Sequence, residues 1–345
     1  MRSLHARTAI APELPRQVYI EVTNRCNSLC GSCPLTYDHF LPFEPKHHLS
    51  WEQFRQIVDQ LPHIDRAVLH GIGEPLLNPA LPRFVAHLKE RGAHVLFNTN
   101  AVLLTEKRGD ELTAAGLDEL RVSMDGADRA MYRKLRGIDK FEQINANVCA
   151  FTTRRKVRGE TMPKVSYWFV GMQENLHQLP DFVRLAASVG ATEAYLQRMT
   201  YFGDGEVLDQ DATARAENAL YATLEDQQAA LVRECEALAA ELGLAFHASG
   251  ATTPGESMAV KGAHPWQGCY RPWSLTYITA NGTVLPCCIA PFATAEFPQI
   301  VLGNALQQPL AEIWNGKPYI ELRQAVLGES PAPWPCQHCG VRWSL

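Results

Sequence analysis

Between residues 18 and 199, short runs of alternating apolar and polar residues are separated by stretches with helical spacing. The first run, Val18–Val22, predicts a buried strand. Five further strands are predicted at Arg66–His70, His94–Phe97, Glu119–Met124, Lys164–Gly171 and Ala194–Met199. Helices are predicted between them, near Ser50–Gln60, Ala80–Arg91, Thr105–Ala115, Phe141–Thr153 and Leu179–Val189. Since strands that alternate with helices form parallel sheets with helical crossovers, these units indicate an α/β fold, a partial (β/α)6 barrel.

The chain changes character after the sixth strand. Residues 213–242 predict one long amphipathic helix, and residues 248–265, with three glycines and two prolines, indicate a linker or lid. The last 80 residues predict strands at Leu275–Thr279 and Thr283–Pro286, one helix at Leu310–Val326, and a small α+β domain that holds five of the ten cysteines. We therefore expect a barrel (1–212), a helix and linker (213–265) and a cysteine-rich domain (266–345).

Composition narrows the classes of function. The chain has 345 residues, of which 46% are hydrophobic and 20% charged, and a formal net charge of −5. This charge argues against nucleic acid or a membrane surface as partner, and no run of 18 apolar residues occurs. We expect a cytoplasmic protein. In that reducing compartment, ten cysteines point to metal or redox chemistry rather than to disulfides.

Three cysteines crowd the loop after the first strand. Cys26, Cys30 and Cys33 have the spacing C-x3-C-x2-C. Thiolates so close together repel one another unless a disulfide or a soft metal centre removes the repulsion. Three is one fewer than the four cysteines that usually saturate an iron–sulfur cluster or a structural zinc. The loop therefore suggests a cluster with one iron left open.

Candidate binding residues follow the other predicted strands. The segment Gly71-Ile72-Gly73-Glu74 comes after the second strand, and two glycines there would let the backbone approach a ligand closely. Strand ends contribute Asn98, Asn100, Ser123, Asp125, Gln197 and Arg198. Because the carboxyl ends of the strands carry the site in α/β barrels, we expect these residues to face one opening. Arg136, by contrast, is expected at an exposed helix end.

The C-terminal cysteines form a second set. Cys269, Cys287, Cys336 and Cys339 would complete the shell of one [4Fe–4S] cluster or one zinc ion, and spacing alone does not separate these two. A hairpin through Asn281-Gly282 would bring the first two together. Cys288 is left over and is expected to be a buried residue, with a spare ligand or a hydrogen-atom donor as the alternatives. Two further cysteines, Cys149 and Cys235, are expected in the core.

The cysteine loop and the Gly-x-Gly-Glu segment resemble the signatures of the radical S-adenosylmethionine (SAM) superfamily. The resemblance implies that Cys26, Cys30 and Cys33 hold a [4Fe–4S] cluster and that SAM binds its open iron. It also implies cleavage of SAM to a 5′-deoxyadenosyl radical, which abstracts hydrogen from the substrate.

The same resemblance assigns the binding residues. It gives Gly71, Gly73 and Glu74 to the methionine amino group, and Ser123 and Asp125 to the ribose and carboxylate of SAM. Their place at the ends of barrel strands makes Asn98 and Asn100 further candidates for SAM contact, and Gln197 and Arg198 candidates for adenine or substrate contact. One position departs from the family, since Ser32 stands where an aromatic residue commonly contacts the adenine.

The C-terminal pattern C-x12-G-x4-C, followed by C-x2-C, resembles SPASM or shortened twitch extensions of radical SAM enzymes. It implies that Cys269, Cys287, Cys336 and Cys339 hold a second, auxiliary [4Fe–4S] cluster. The further cysteines of a full SPASM pattern do not follow Cys339, so one auxiliary cluster is expected. The arrangement is similar to that of butirosin-pathway aminocyclitol dehydrogenases and cytosylglucuronate-type decarboxylases.

These resemblances imply hydrogen abstraction from a small polar substrate, of sugar, cyclitol or nucleoside type, in a biosynthetic pathway. Dehydrogenation or decarboxylation would follow, with an external one-electron donor such as flavodoxin or ferredoxin. Arg198 and Arg271 could pair with a substrate carboxylate. Epimerisation would need a hydrogen donor, for which Cys288 or Cys235 could serve.

Two alternatives remain open. The first is a peptide-modifying SPASM maturase that forms a crosslink or thioether. Such enzymes often carry an N-terminal domain for a leader peptide, and we do not expect one from the roughly seventeen residues before the first strand. The second is a non-catalytic module with zinc at both cysteine sets, which would be colourless because zinc has a filled d shell.

Overall fold

The computed structural model describes residues 7–36, 43–199, 218, 226–248, 269–292, 294–329 and 336. Seven parallel strands follow one another in the first part: β1 Gln17–Ile20, β2 Arg66–Val68, β3 His94–Thr99, β4 Glu119–Ser123, β5 Lys164–Gly171, β6 Glu193–Arg198 and β7 Ala245–Ala248. Three more lie in the C-terminal part: β8 Leu275–Ile278, β9 Thr283–Leu285 and β10 Gly303–Asn304. All ten form one sheet in the order β10-β9-β8-β1-β2-β3-β4-β5-β6-β7.

The helices are α1 Trp51–Val58, α2 Leu81–Glu90, α3 Glu106–Ala114, α4 Arg129–Arg136, α5 Phe141–Val157, α6 Leu179–Ser188, α7 Asp226–Glu241, α8 Arg271–Ser274, α9 Leu310–Trp314 and α10 Lys317–Leu327. Helices α1 to α7 lie between the parallel strands β1 to β7, and α8, α9 and α10 lie in the C-terminal part. The predicted α/β fold with a parallel sheet is confirmed. No helix in the described part of the chain is both long and apolar enough to cross a membrane.

The two faces of the strands carry different residues. In β4, Leu120 and Val122 are fully buried in the main apolar core, whereas Arg121 and Ser123 line a cavity on the other face. Side chains alternate between the faces of a strand, so the apolar positions pack against the helices and the polar ones face inward. The same alternation puts Tyr19 of β1 into the cavity.

The C-terminal strands extend the barrel sheet at β1. Strand β8 pairs with β1 in parallel, from Gln17↔Leu275 to Ile20↔Ile278, and β9 pairs with β8 antiparallel. Gly282 in the connecting turn has φ +84°, a conformation that favours glycine. The hairpin is therefore continuous with the barrel, and it carries Cys287 just after β9.

One strand differs from the sequence prediction here, and two other predicted segments are described only in part or not at all. Strand β7 was not predicted, and it contains Ala248, where the linker was expected to begin. Only the last part of the predicted helix over 213–242 is described, as α7, and residues 249–265 lie outside the described residues.

The predicted helix Leu310–Val326 is two helices, and Asn315 explains the break. Its side chain accepts from the backbone N–H of Ala11 and donates to the Ala11 carbonyl, both at 2.9 Å. It also accepts from Arg323 at 3.0 Å. These bonds tie the N-terminal segment to the C-terminal helices, and the chain turns at Gly316 before α10 begins.

Candidate functional site

A cavity of about 480 Å³ opens at the carboxyl ends of the barrel strands. It is lined by most of the predicted site residues: Cys26, Cys30, Cys33, Gly71, Gly73, Glu74, Asn98, Asn100, Ser123, Asp125 and Gln197, with Arg271 and Cys288 from the C-terminal part. The side chain of Arg198 lies outside the described part. The cavity volume falls within the range of small-molecule sites.

The end of α4 holds the cysteine loop. The backbone N–H groups of Leu29 and Gly31 donate to the carbonyls of Arg136 and Leu135, at 3.3 and 3.2 Å. Gly137 ends the helix with φ +67°, and a side chain there would clash with the backbone of Leu29. Carbonyls that a helix end leaves unpaired are thus satisfied by the loop.

Arg136 is not the exposed helix end that the sequence suggested. Its side chain is only 15% exposed and forms an ion pair with Asp125 at 2.7 Å. The guanidinium also donates to Cys30 Sγ at 3.8 Å. This places a positive charge beside one of the three thiols, where it favours the thiolate.

The chemistry of the three thiols fits a cationic centre. Burial raises the pKa of Cys26 to about 11 and raises the pKa values of Cys30 and Cys33 as well. Thiolates are therefore disfavoured in this loop unless a cation compensates them. In the described part of the chain, no group of three or more histidine, cysteine or carboxylate side chains could hold a metal ion as it stands. Cluster binding by these particular cysteines stays a prediction.

The Gly71–Glu74 segment packs directly on the start of the cysteine loop. The Glu74 backbone N–H donates to the Arg25 carbonyl at 2.8 Å, and the Cys33 thiol donates to the Ile72 carbonyl at 3.9 Å. A Cβ on Gly73 would clash with the carbonyl oxygen of Thr23 and lie only 2.9 Å from that of Arg25. Glycine is required here because two backbone segments approach closely.

The carboxylate of Glu74 is engaged by the protein itself. It accepts from Thr99 Oγ1 at 2.6 Å, from the Asn100 N–H at 2.7 Å and from the Leu76 N–H at 3.0 Å. Burial raises its pKa, and these hydrogen bonds oppose the rise. Contact with the methionine amino group of SAM stays a prediction, and the observed role is to join this segment to the end of β3.

Two other residues predicted to bind SAM, Asn100 and Asp125, are also bonded to other residues of the protein. The Asn100 amide donates to Asn27 Oδ1 at 2.6 Å and to Ser28 Oγ at 3.0 Å, which ties β3 to the cysteine loop. Asp125 accepts from the Val170 N–H at 2.9 Å as well as pairing with Arg136. Asn98 differs, since its buried Oδ1 has no hydrogen-bond partner among the described residues.

Glu21, which the sequence did not single out, joins three elements behind the cavity. Its carboxylate accepts from the Ile72 N–H and the Tyr277 hydroxyl, both at 2.9 Å, and from the Ala280 N–H at 3.3 Å. Burial raises the pKa of Glu21 to about 7, and nearby Glu44 adds to the rise. One carboxylate thus connects β1, the Gly71–Glu74 segment and the C-terminal hairpin.

This carboxylate predicts a pH-dependent stability. The folded-state pKa of Glu21 lies above its ordinary value of 4.5, so stability from this group is full below that value and is lost as pH rises through about 7. On going from about pH 5 to about pH 8, the free energy of unfolding of Glu21→Gln should therefore rise by up to about 3 kcal/mol relative to that of wild type. Anaerobic denaturation at both pH values measures this.

Glu321→Gln, at a position whose side chain is 61% exposed, controls for the loss of one charge. It should show no such change with pH. A difference between Glu21→Gln and wild type that stays constant across the two pH values would contradict the prediction.

The C-terminal cysteines are described in part. Cys269, Cys287 and Cys336 are half-buried, and Cys339 lies outside the described residues. Burial raises the pKa of Cys269. Cys149, expected in the core, is exposed on α5, whereas Cys235 is buried as predicted. The sequence pattern did not show which side of α5 is exposed to solvent.

The cavity at the strand ends, with a cysteine loop on one side, defines an α/β barrel protein built to hold a cofactor. Two family models match the chain: the radical SAM superfamily over residues 20–186 and SPASM, an iron–sulfur cluster-binding domain, over residues 269–340. The chain therefore contains a radical SAM domain followed by a SPASM domain. Its cofactors are a [4Fe–4S] cluster, SAM and auxiliary iron–sulfur. The zinc alternative is thereby disfavoured.

Known proteins are similar over nearly the whole chain. PqqA peptide cyclase of Streptomyces rochei is 27% identical over 95% of this chain and 82% of its own length. AdoMet-dependent heme synthase of Methanosarcina barkeri is 25% identical over 90% of this chain and 85% of its own length. The structure of Streptococcus suis SuiB bound to S-adenosylmethionine matches with a TM-score of 0.65 at 16% identity, over 96% of this chain and 72% of that one. This last match shows the fold.

Proposed function

We propose that this chain is a radical SAM enzyme whose substrate is a peptide. The observation that carries the proposal is the similarity to PqqA peptide cyclase over 95% of the chain. It favours the peptide-modifying alternative over the small sugar-like substrate that the sequence resemblance suggested. In this proposal Cys26, Cys30 and Cys33 hold the SAM-binding cluster, and Cys269, Cys287, Cys336 and Cys339 hold the auxiliary one.

When bound, the cofactors supply the 5′-deoxyadenosyl radical and accept the electron that the substrate radical loses. The chain's own residues position the reactants. Arg136 stabilises the Cys30 thiolate, and Gly73 lets the segment after β2 lie against the cysteine loop. Trp168 and Tyr195, stacked at 3.9 Å between ring centroids, form an apolar wall of the cavity that excludes water from a radical.

The atoms and electrons balance when a peptide is crosslinked in this scheme. The peptide loses one hydrogen atom to the 5′-deoxyadenosyl radical, and it then loses one proton and one electron as the new bond forms. SAM would be the oxidant, used up as methionine and 5′-deoxyadenosine, and the electron that starts its cleavage would be returned by the substrate, so no net electron is drawn from the external donor. An external donor such as flavodoxin or ferredoxin would start the cycle.

A second candidate keeps a small polar substrate, with dehydrogenation or decarboxylation as its outcome. The observation that favours it is the polar lining of the cavity, where Arg66, Arg121 and Arg271 stand among the aromatic residues. Guanidinium groups bind a carboxylate by paired hydrogen bonds. Cys288 also lines the cavity and stays a candidate hydrogen donor in this scheme.

The peptide proposal predicts a change in substrate mass. Protein reconstituted anaerobically, with SAM and a strong reductant, is incubated with peptides encoded by short reading frames next to its gene. A peptide substrate should lose two hydrogen atoms, detected by mass spectrometry, in step with 5′-deoxyadenosine release.

Reactions without SAM serve as the control and should leave the peptide unchanged. If 5′-deoxyadenosine forms but every such peptide stays unmodified, while a small polar acid is converted, the second candidate replaces the first.

A further inference from the structure

We propose that the deep part of the cavity is a carboxylate-binding site for the substrate, formed by Arg66, Arg121 and Arg271. This inference rests on the proposed function, because it describes the substrate of the same cavity. It adds two arginines that the sequence did not single out. Both occupy cavity-facing positions of strands whose other face is apolar.

Arg66 provides the strongest observation. It is the first residue of β2 and lines the cavity, at the opposite end of the strand from the Gly71–Glu74 segment. Its guanidinium makes no hydrogen bond or ion pair with any residue that the structure describes. A partly buried cation without a counter-ion is unfavourable, and an anionic ligand would remove that cost.

Arg121 lines the same cavity and is held in place by its neighbours. Its guanidinium donates to Glu119 Oε2 at 2.9 and 2.5 Å and lies over the Trp168 ring at 4.5 Å. Glu119 also bonds to His94, at 2.6 Å, so this carboxylate is shared between two basic side chains. The arginine is thereby fixed in orientation, which reduces the entropy lost when a ligand binds.

Neutral donors complete the site. His70 Nδ1 accepts from the Asn98 N–H at 3.1 Å, which leaves the ring proton on Nε2. Burial and the nearby arginines lower the pKa of His70 to about 3, so the ring stays neutral. Tyr19 lies edge-on to this ring at 5.9 Å and feels the charges of all three arginines. The imidazole N–H and the phenol can both donate to an anion.

The acidic residues that line the cavity do not compete for Arg66. Glu74 is engaged by Thr99 and the backbone of Asn100, and Asp125 is paired with Arg136. This pair lies beside Cys30, near the loop where SAM is expected. That pair contacts the cysteine loop, whereas neither Arg66 nor Arg121 is hydrogen-bonded to it in the described part of the chain, so we assign the ligand of the arginine site to the substrate. In a peptide, that group is an acidic side chain or the C-terminus.

The experiment measures binding of four probes to the anaerobically reconstituted protein with SAM, by titration calorimetry. The probes are acetyl-Ala-Glu-Ala amide, its Gln counterpart, acetyl-Ala-Ala-Ala as the free acid, and glutarate. At least one carboxylate probe should bind about tenfold or more tightly than the Gln peptide. Added salt should weaken this preference.

Two arginine variants test the residues. Arg66→Gln removes a cation that has no described partner, so it leaves no carboxylate orphaned, and it should abolish the preference for carboxylate. Arg184→Gln makes the same change of charge at an exposed position, where Arg184 pairs with Asp181 at 2.8 Å, and should preserve it. Iron content and thermal unfolding verify that both variants fold.

Each outcome separates this inference from the proposed function. If only glutarate binds, in an Arg66-dependent manner, the carboxylate site is supported and the peptide proposal fails. If peptides are modified without any preference for carboxylate, the site proposal fails alone. A preference that survives Arg66→Gln, or the absence of binding by all three carboxylate probes, overturns the inference.

Discussion

Replacing Cys26, Cys30 and Cys33 together by alanine should abolish formation of 5′-deoxyadenosine and leave the C-terminal iron in place. The variant removes all three thiol ligands that the sequence pattern assigns to the SAM-binding cluster. The loop itself should persist, because backbone hydrogen bonds to Leu135 and Arg136 hold it. Iron should fall from about eight to about four per chain, as measured on anaerobically purified protein.

Two controls give this result its meaning. Cys149→Ala changes an exposed cysteine and should leave both iron and 5′-deoxyadenosine unchanged. The pair Cys269→Ala and Cys287→Ala should instead remove the other irons, about four. If the triple variant kept about eight irons, the assignment of the first cluster to this loop would be wrong.

Gly73→Ala is expected to have the second largest effect, with loss of SAM cleavage and about 3 kcal/mol of stability. The added Cβ would meet the carbonyl of Thr23 and lie 2.9 Å from the carbonyl oxygen of Arg25. Both are backbone atoms, and Arg25 is already bonded to the Glu74 N–H. The segment after β2 would therefore have to move away from the cysteine loop. Equilibrium dialysis with SAM and thermal unfolding measure the two effects.

The matched control is Gly92→Ala. Gly92 has φ +77°, but a Cβ added there would meet no atom within 4 Å, so alanine at this position tests backbone strain without a clash. It should cost about 1 kcal/mol and leave SAM cleavage intact. Normal SAM affinity in Gly73→Ala would show that close packing of the two loops is not needed for binding.

The strand pattern was predictable wherever the two faces of a strand differ. In β4, apolar Leu120 and Val122 alternate with Arg121 and Ser123, because helices cover one face and the cavity meets the other. Burial does not alternate along β7, where Ala245 is exposed, the next two residues are half-buried and Ala248 is buried, and β10 has only two residues. Their existence depends on pairing with β6 and β9, which sequence alone does not reveal.

The candidate site was predictable to the extent that its residues are close in sequence. The cysteine loop and Gly71–Glu74 are such segments, and the structure places both against one cavity. Arg136 was not, because its orientation depends on Asp125, a partner from another element. Arg66 was missed because a charged residue at the start of a strand usually faces solvent, and only the sheet register turns it inward.

The parallel pairing of β8 with β1 has a consequence for chimeric enzymes. The two family matches are separate along the sequence, but in the structure one hydrogen-bonded sheet continues from β1 into the β8–β9 hairpin. A domain exchanged at that boundary would leave β1 with an unpaired edge, which invites aggregation. Grafting a different auxiliary-cluster domain onto this barrel therefore requires an incoming strand that reproduces the register Gln17↔Leu275.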